Sequence, residues 1–179
     1  MTQHLPGDLS AREAAERMIR VDHAGEYGAT RIYAGQLAVL GRGASGEVLR
    51  HMQAQEQHHL RTFNDLIADR RVRPTALLPL WHLAGFALGA VTAAMGEKAA
   101  MACTVAVEET IDAHYSAQLK ALGTTEPALR QTVESFRAEE LEHRATALEH
   151  GAEQAPGYRL LSRVIKAGCR AAIAISERI

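Results

Sequence analysis

The sequence predicts an all-α protein: a four-helix bundle with one long apolar crossover and an additional amphipathic helix at the C-terminus. Three observations predict it. Aromatic residues make up only 4% of the 179 residues, while Ala, Leu, Arg and Glu abound, which favours helix over sheet. Apolar residues recur at steps of three and four between Gly- and Pro-marked breaks. Finally, one two-helix pattern occurs twice, on either side of an uncharged stretch. A chain of this length fits a single domain, 1–179, with a real core.

Ser10-Ala-Arg-Glu13 reads as a capping box opening the first helix. From there Ala15, Ile19, Glu26, Ala29, Tyr33, Leu37 and Leu40 form one stripe, and Gly41 and Gly43 stop it. A second helix begins near Ser45 and runs to about Asp69, with the stripe Leu49, Met52, Glu56, His59, Phe63, Leu66. Residues 75–96 hold no Asp, Glu, Lys or Arg, a length of 22 that suffices to span a bilayer. Because the chain continues at once into another patterned helix, a buried crossover or a helix lying in the membrane interface is expected instead.

The next helix covers roughly Lys98 to Leu122, with Met101, Val105, Glu108, Ile111, Tyr115 and Leu119 on one face. Glu109 rivals Glu108 for the inward position. Pro127 opens the fourth helix, whose stripe is Leu129, Val133, Phe136, Glu140, His143, Ala147. The tail helix, 157–178, sets Leu160, Leu161, Val164 and Ile165 against Arg159, Arg163, Lys166 and Arg170. The repeat is then plain: a helix with one glutamate precedes a helix with Glu-x-x-His in each half. The spacing is 30 residues from Glu26 to Glu56 and 32 from Glu108 to Glu140.

Net charge is −1, so no global basic field recruits nucleic acid. Cys103 and Cys169 lack metal-ligand or redox spacing and read as buried thiols. Met1 to Ser10 shows no basic segment followed by an apolar run, so no secretory signal is expected. The acids Asp8, Glu13 and Glu16 argue against a transit peptide. A bacterial origin, or a presequence already removed, fits both features.

Four glutamates and two histidines on apolar stripes are costly in an empty core, at several kcal/mol per unpaired carboxylate, in order of magnitude. No matching set of Lys or Arg shares those stripes. Two divalent cations would balance four carboxylates, with the imidazoles binding neutral. One Glu from each of two helices and Glu-x-x-His from the other two is the ligand pattern of ferritin-like di-metal bundles. Oxygen-rich donors with imidazole and no thiolate suit iron or manganese. Within the runs, only His59 stands three after Glu56, and only Glu140 has a His three residues on. His58, Glu139 and Glu142 lack that spacing, and Glu142 faces elsewhere, exposed or an outer partner of the site.

Several runs resemble the demethoxyubiquinone hydroxylases of ubiquinone biosynthesis: Met18-Ile-Arg-Val-Asp-His-Ala-Gly-Glu-Tyr-Gly-Ala29, Arg31-Ile-Tyr-Ala-Gly-Gln36, Val72-Arg-Pro-Thr75, Pro79-Leu-Trp81, Gly85-Phe-Ala-Leu-Gly-Ala90, Ala100-Met-Ala-Cys-Thr-Val-Ala-Val-Glu-Glu109 and Glu139-Glu-Leu-Glu-His143. The resemblance implies two iron ions held by Glu26, Glu56, His59, Glu108, Glu140 and His143, and it selects Glu108 over Glu109. It also places His114 and Tyr115 near the quinone and the iron centre. The implied reaction is O2-dependent hydroxylation of a polyprenylated benzoquinol, with NADH as an electron donor although no dinucleotide-binding loop is visible. Implied surroundings are the surface of an inner membrane, on the bacterial cytoplasmic or mitochondrial matrix face. A homo-oligomer or a lipid-binding accessory protein is expected to cover part of the bundle. Two rivals use the same residues: a ferroxidase or iron-binding bundle, and a non-catalytic membrane scaffold of a quinone-synthesis assembly.

Overall fold

The structure, a computed structural model, describes residues 9–179. The absence of a secretory signal expected over Met1 to Ser10 falls mainly on residues 1–8, outside the described part. Six α-helices follow in order: α1 Ala11–Leu40, α2 Gly46–Arg70, α3 Leu78–Ala94, α4 Glu97–Leu122, α5 Pro127–Glu149 and α6 Tyr158–Ser176. A 3-10 turn, Ala152–Gln154, joins α5 to α6.

The ends of these helices have local causes. Ser10 and Glu13 form the expected capping box, the Ser10 hydroxyl accepting from the Glu13 N–H while the Glu13 side chain takes the Ser10 N–H. At the far end of α2, Arg71 adopts the left-handed conformation (φ 54°), and its N–H and that of Val72 bond back to the helix. Gly96, at φ 115°, supplies the turn from α3 into α4 that a side chain would resist.

Short connections make α1–α2 and α4–α5 antiparallel pairs, and α3 packs along α1 as α6 packs along α4. The two halves are thus three-helix units, one helix larger than the repeat legible in the sequence. Ile19, Phe63, Tyr115, Leu129, Val133 and Phe136 fill one end of the bundle. Tyr33, Leu49, Met52, Met101, Val105 and Ala147 fill the other. The middle layer holds Glu26, Glu56, Glu108 and Glu140, all buried.

The expected fold class, a four-helix bundle with a long apolar crossover, is corrected here. What the structure shows is an all-α ferritin-like helical bundle in which residues 75–96 supply no membrane-crossing helix. Their centre is α3, a helix of 17 residues laid against α1. Among the described residues, no helix is long and apolar enough to cross a membrane. The glycines of this stretch serve close backbone packing. A Cβ on Gly89 would stand 1.9 Å from the Ile32 carbonyl oxygen, and one on Gly85 2.8 Å from that of Gly28. From the α1 side, a Cβ on Gly35 would meet the Phe86 carbonyl oxygen at 2.2 Å. One face of α3 is therefore glycine against α1, and the other leaves Leu80, Leu83, Val91 and, just past its end, Met95 exposed. On α6, Leu160, Val164 and Ile175 are exposed in the same way. Trp81 donates its indole N–H to Ser176 at 3.1 Å, tying the start of α3 to the end of α6.

Candidate metal centre

Helical periodicity and the two antiparallel pairs bring six residues to the middle of the bundle. Glu26, Glu56, His59 and Glu140 form one group, and Glu56, Glu108, Glu140 and His143 a second. Within each group the donor atoms lie within 4.8 Å of one another, and all six residues are buried. Glu56 and Glu140, the carboxylates of the two Glu-x-x-His pairs, belong to both groups. Glu140 divides its oxygens between the halves: Oε1 lies 3.2 Å from His59 Nδ1 and Oε2 3.1 Å from His143 Nδ1. Glu26 Oε2 lies 3.4 Å from His59 Nδ1, and Glu56 Oε1 lies 3.2 Å from His143 Nδ1.

These contacts leave the donors unsatisfied. Both Glu56 oxygens and His59 Nδ1 are buried with no hydrogen-bond partner. Among the described residues, no Lys or Arg ion pair reaches any of the four glutamates. Burial pushes the carboxyls of Glu26, Glu56 and Glu108 up, and neighbouring carboxylates add to it. Burial would do the same to Glu140, but the adjoining His143 and His59 imidazoles outweigh it and hold this group at about 2. Burial would lower His59, yet Glu140 and Glu26 raise it to about 11. Convergent lone pairs and carboxylates that protonate for want of a counter-charge are what a bound cation satisfies. The residues fit a pair of metal ions.

The surrounding contacts repeat across the two halves. Tyr115 on α4 donates its hydroxyl to Glu26 on α1. Tyr33 on α1 donates to Glu108 on α4 at 3.2 Å. Each tyrosine stands seven residues after its own helix's glutamate and holds the other helix's glutamate. Similarly, each metal-facing imidazole points Nδ1 inward and Nε2 outward. His59 Nε2 meets Glu139 Oε2 at 3.2 Å, and His143 Nε2 meets Gln55 Oε1 at 3.0 Å. The Phe136 ring stacks on His59 with centroids 3.9 Å apart, fixing its plane.

The sequence reading did not find Gln55, Glu139, Tyr33 or Asp22 as partners of the site. Glu142, expected to be exposed or an outer partner, is exposed, and Glu139 is the outer partner. The signal for both outer residues is their position directly before Glu56 and Glu140, which turns them toward the facing helix. Glu109 points away from the centre. It accepts from Arg144 on α5 at 3.0 Å and pairs with Lys166 on α6, pinning the tail helix. His114 does not join either group. Its Nε2 meets Asp22 Oδ1 at 3.1 Å, beside Gln118, in a cleft of about 170 Å³ also lined by Arg17 and Glu177. Cys103 is buried and Cys169 partly so, and burial pushes both thiols up, to about 12 and 11.

Residues 13–176 match the family model described as ubiquinone biosynthesis protein COQ7. The chain is 60% identical over 176 residues to a 3-demethoxyubiquinol 3-hydroxylase of Rhodospirillum rubrum, covering 98% of this chain and 83% of that protein. It is 55% identical to the NADPH-dependent 3-demethoxyubiquinone 3-hydroxylase of Homo sapiens mitochondria, over 96% of this chain and 81% of the human protein. With the 5-demethoxyubiquinone hydroxylase of Saccharomyces cerevisiae identity is 45%, over 99% of this chain and 85% of the yeast protein. The chain belongs to the COQ7 family. With its two buried glutamate–histidine groups, family membership makes it a di-iron-dependent oxidoreductase acting in ubiquinone biosynthesis.

Proposed function

We propose that this COQ7-family chain hydroxylates the ring of a polyprenylated methoxy-benzoquinol, demethoxyubiquinol, with O2. Glu26, Glu56, His59, Glu108, Glu140 and His143 hold the two irons, which when bound supply O2 activation. The observation that carries this reading is the pair of four-residue groups sharing Glu56 and Glu140, in a chain whose relatives are named as such hydroxylases. One oxygen atom enters the ring at a C–H position and the other leaves as water. Two electrons come from a nicotinamide nucleotide, consistent with the NADPH-dependence in the human relative's name. Tyr115 acts at the site by holding Glu26. His114 acts through Asp22, one helical turn before Glu26 on α1.

The whole chain works as one domain. The apolar faces of α3 and α6 seat it as a peripheral or monotopic protein on the inner membrane, where a polyprenyl substrate resides. A second copy or a lipid-binding accessory protein covers part of that surface. Leu83 and Leu160 are 70% and 69% exposed, so the double variant Leu83→Glu, Leu160→Glu should reduce co-sedimentation with anionic vesicles at least tenfold. Unchanged vesicle binding would remove α3 and α6 from the contact.

The reaction is tested with protein loaded anaerobically with Fe(II), then given a demethoxyubiquinol analogue, reductant and O2. Mass spectrometry should find a product heavier by one oxygen atom, derived from labelled O2. A di-iron-loaded protein that makes none would sink the hydroxylase reading.

A further inference from the structure

The two halves match around the centre in their tyrosines and differ in what holds each histidine. Tyr33 and Tyr115 are the same residue in the same role. Directly before the Glu of each Glu-x-x-His, however, α2 carries Gln55 and α5 carries Glu139. Each accepts from the histidine of the other helix. They also bond to one another: Gln55 Nε2 donates to Glu139 Oε2 at 3.1 Å, the same oxygen that faces His59 Nε2. The result is one unbroken chain across the α2–α5 seam, His143 to Gln55 to Glu139 to His59.

The chain fixes the outer N–H of each imidazole. An ionised Glu139 only accepts, so Gln55 must present its amide N–H₂ to it and turn its carbonyl oxygen to His143. His143 Nε2 then has to be the protonated nitrogen, as does His59 Nε2 facing Glu139. With Nε2 so held on each imidazole, Nδ1 is the nitrogen left to bind an ion, and both Nδ1 atoms face the buried carboxylates. An imidazole whose far N–H is held by a carboxylate is a stronger donor than one held by an amide oxygen. His59 has the carboxylate.

Resting on the di-metal reading above, we propose that Gln55 and Glu139 are positioning residues. They form a relay, anchored at the single Glu139 carboxylate, that holds both imidazoles in the Nδ1-binding tautomer and makes the ion position beside His59 the tighter of the two. The relay lies near the protein surface, since Glu139 is partly exposed and Gln55 floors a cleft of about 270 Å³ shared with His143 and the exposed His51 and Glu142. Water can compete there, so the geometry depends on both side chains.

The test uses Co(II) titration of the metal-free full-length chain. It reads stepwise affinities by chelator competition and the exchangeable histidine N–H signals of the Co(II) form by NMR. Wild type should bind two ions in two steps and show two such N–H signals. Gln55→Ala should weaken only the second step, about 10- to 100-fold, and shift or lose only the His143 signal. Glu139→Ala should weaken both steps and disturb both signals. Glu139→Gln, which keeps shape and acceptor oxygen and so guards against a folding defect, should retain both signals while narrowing the gap between the two steps. Wild type binding fewer than two ions would overturn the ligand assignment itself. Wild type binding two, with Gln55→Ala and Glu139→Ala unchanged or equal in effect, would overturn the relay alone.

Discussion

Replacing Glu140 with alanine should empty both ion positions at once. Glu140 belongs to both groups, with one oxygen against each imidazole. Its loss removes the shared anion and leaves two histidines facing the remaining buried, readily protonated carboxylates of Glu26, Glu56 and Glu108. Loss of an outer hydrogen-bond partner already costs roughly 10- to 100-fold in metal affinity or activity, and loss of a shared ligand should exceed that. Bound iron should fall from two per chain to below one, measured by elemental analysis, and product formation should fall with it. Helical content by circular dichroism should be retained, because Leu129 and Val133 pack α5 away from the site. Glu142→Ala, two residues away in sequence but exposed, should leave iron content unchanged. An active Glu140→Ala enzyme with two irons would show the ligand set to be wrong.

Gly89→Ala should be the most destabilising single-methyl change outside the centre. The added Cβ would stand 1.9 Å from the Ile32 carbonyl oxygen and 3.0 Å from the Gln36 nitrogen, both backbone atoms of α1. No rotamer can relieve such a clash, so α3 must move off α1. Overpacking of this kind costs about 1–3 kcal/mol and occasionally more. For a domain of this size, each kcal/mol lowers Tm by roughly 2–4 °C. A fall of about 6–12 °C in calorimetry is expected, towards the upper end of that range because backbone meets backbone. Gly168→Ala on α6, where nothing lies within 4 Å of the added Cβ, is the matched control. It should hold or raise Tm, since alanine favours an exposed helix over glycine by roughly 1 kcal/mol. Equal melting of Gly89→Ala and wild type would mean that the α1–α3 approach is looser than described.

Much of the centre was legible in the chain because a helix converts spacing into direction. Glu56 with His59, and Glu140 with His143, share a face at a separation of three whatever the tertiary fold. The buried positions of Glu26 and Glu108 followed from their place within apolar stripes, and both are buried. The choice between Glu108 and Glu109 was harder, because adjacent residues differ by only about 100° around the helix. Tertiary contacts explain it: Arg144 and Lys166 draw Glu109 to the far side.

Other features could not be read from periodicity. Gln55 and Glu139 look like solvated residues one position off the stripe; only the facing helix supplies the imidazole that each holds. The uncharged stretch 75–96 has the composition of a crossover or a spanning segment. Its true place depends on glycines that let two backbones touch, and a hydropathy pattern does not say which helix provides the second backbone. The sequence by itself determined the helices, their inward faces and the shared face of each Glu-x-x-His pair, because these depend on local geometry. The tertiary structure alone decided which helices face one another, and hence the bridging role of Glu140, the packing of α3 on α1 and the relay behind the two histidines.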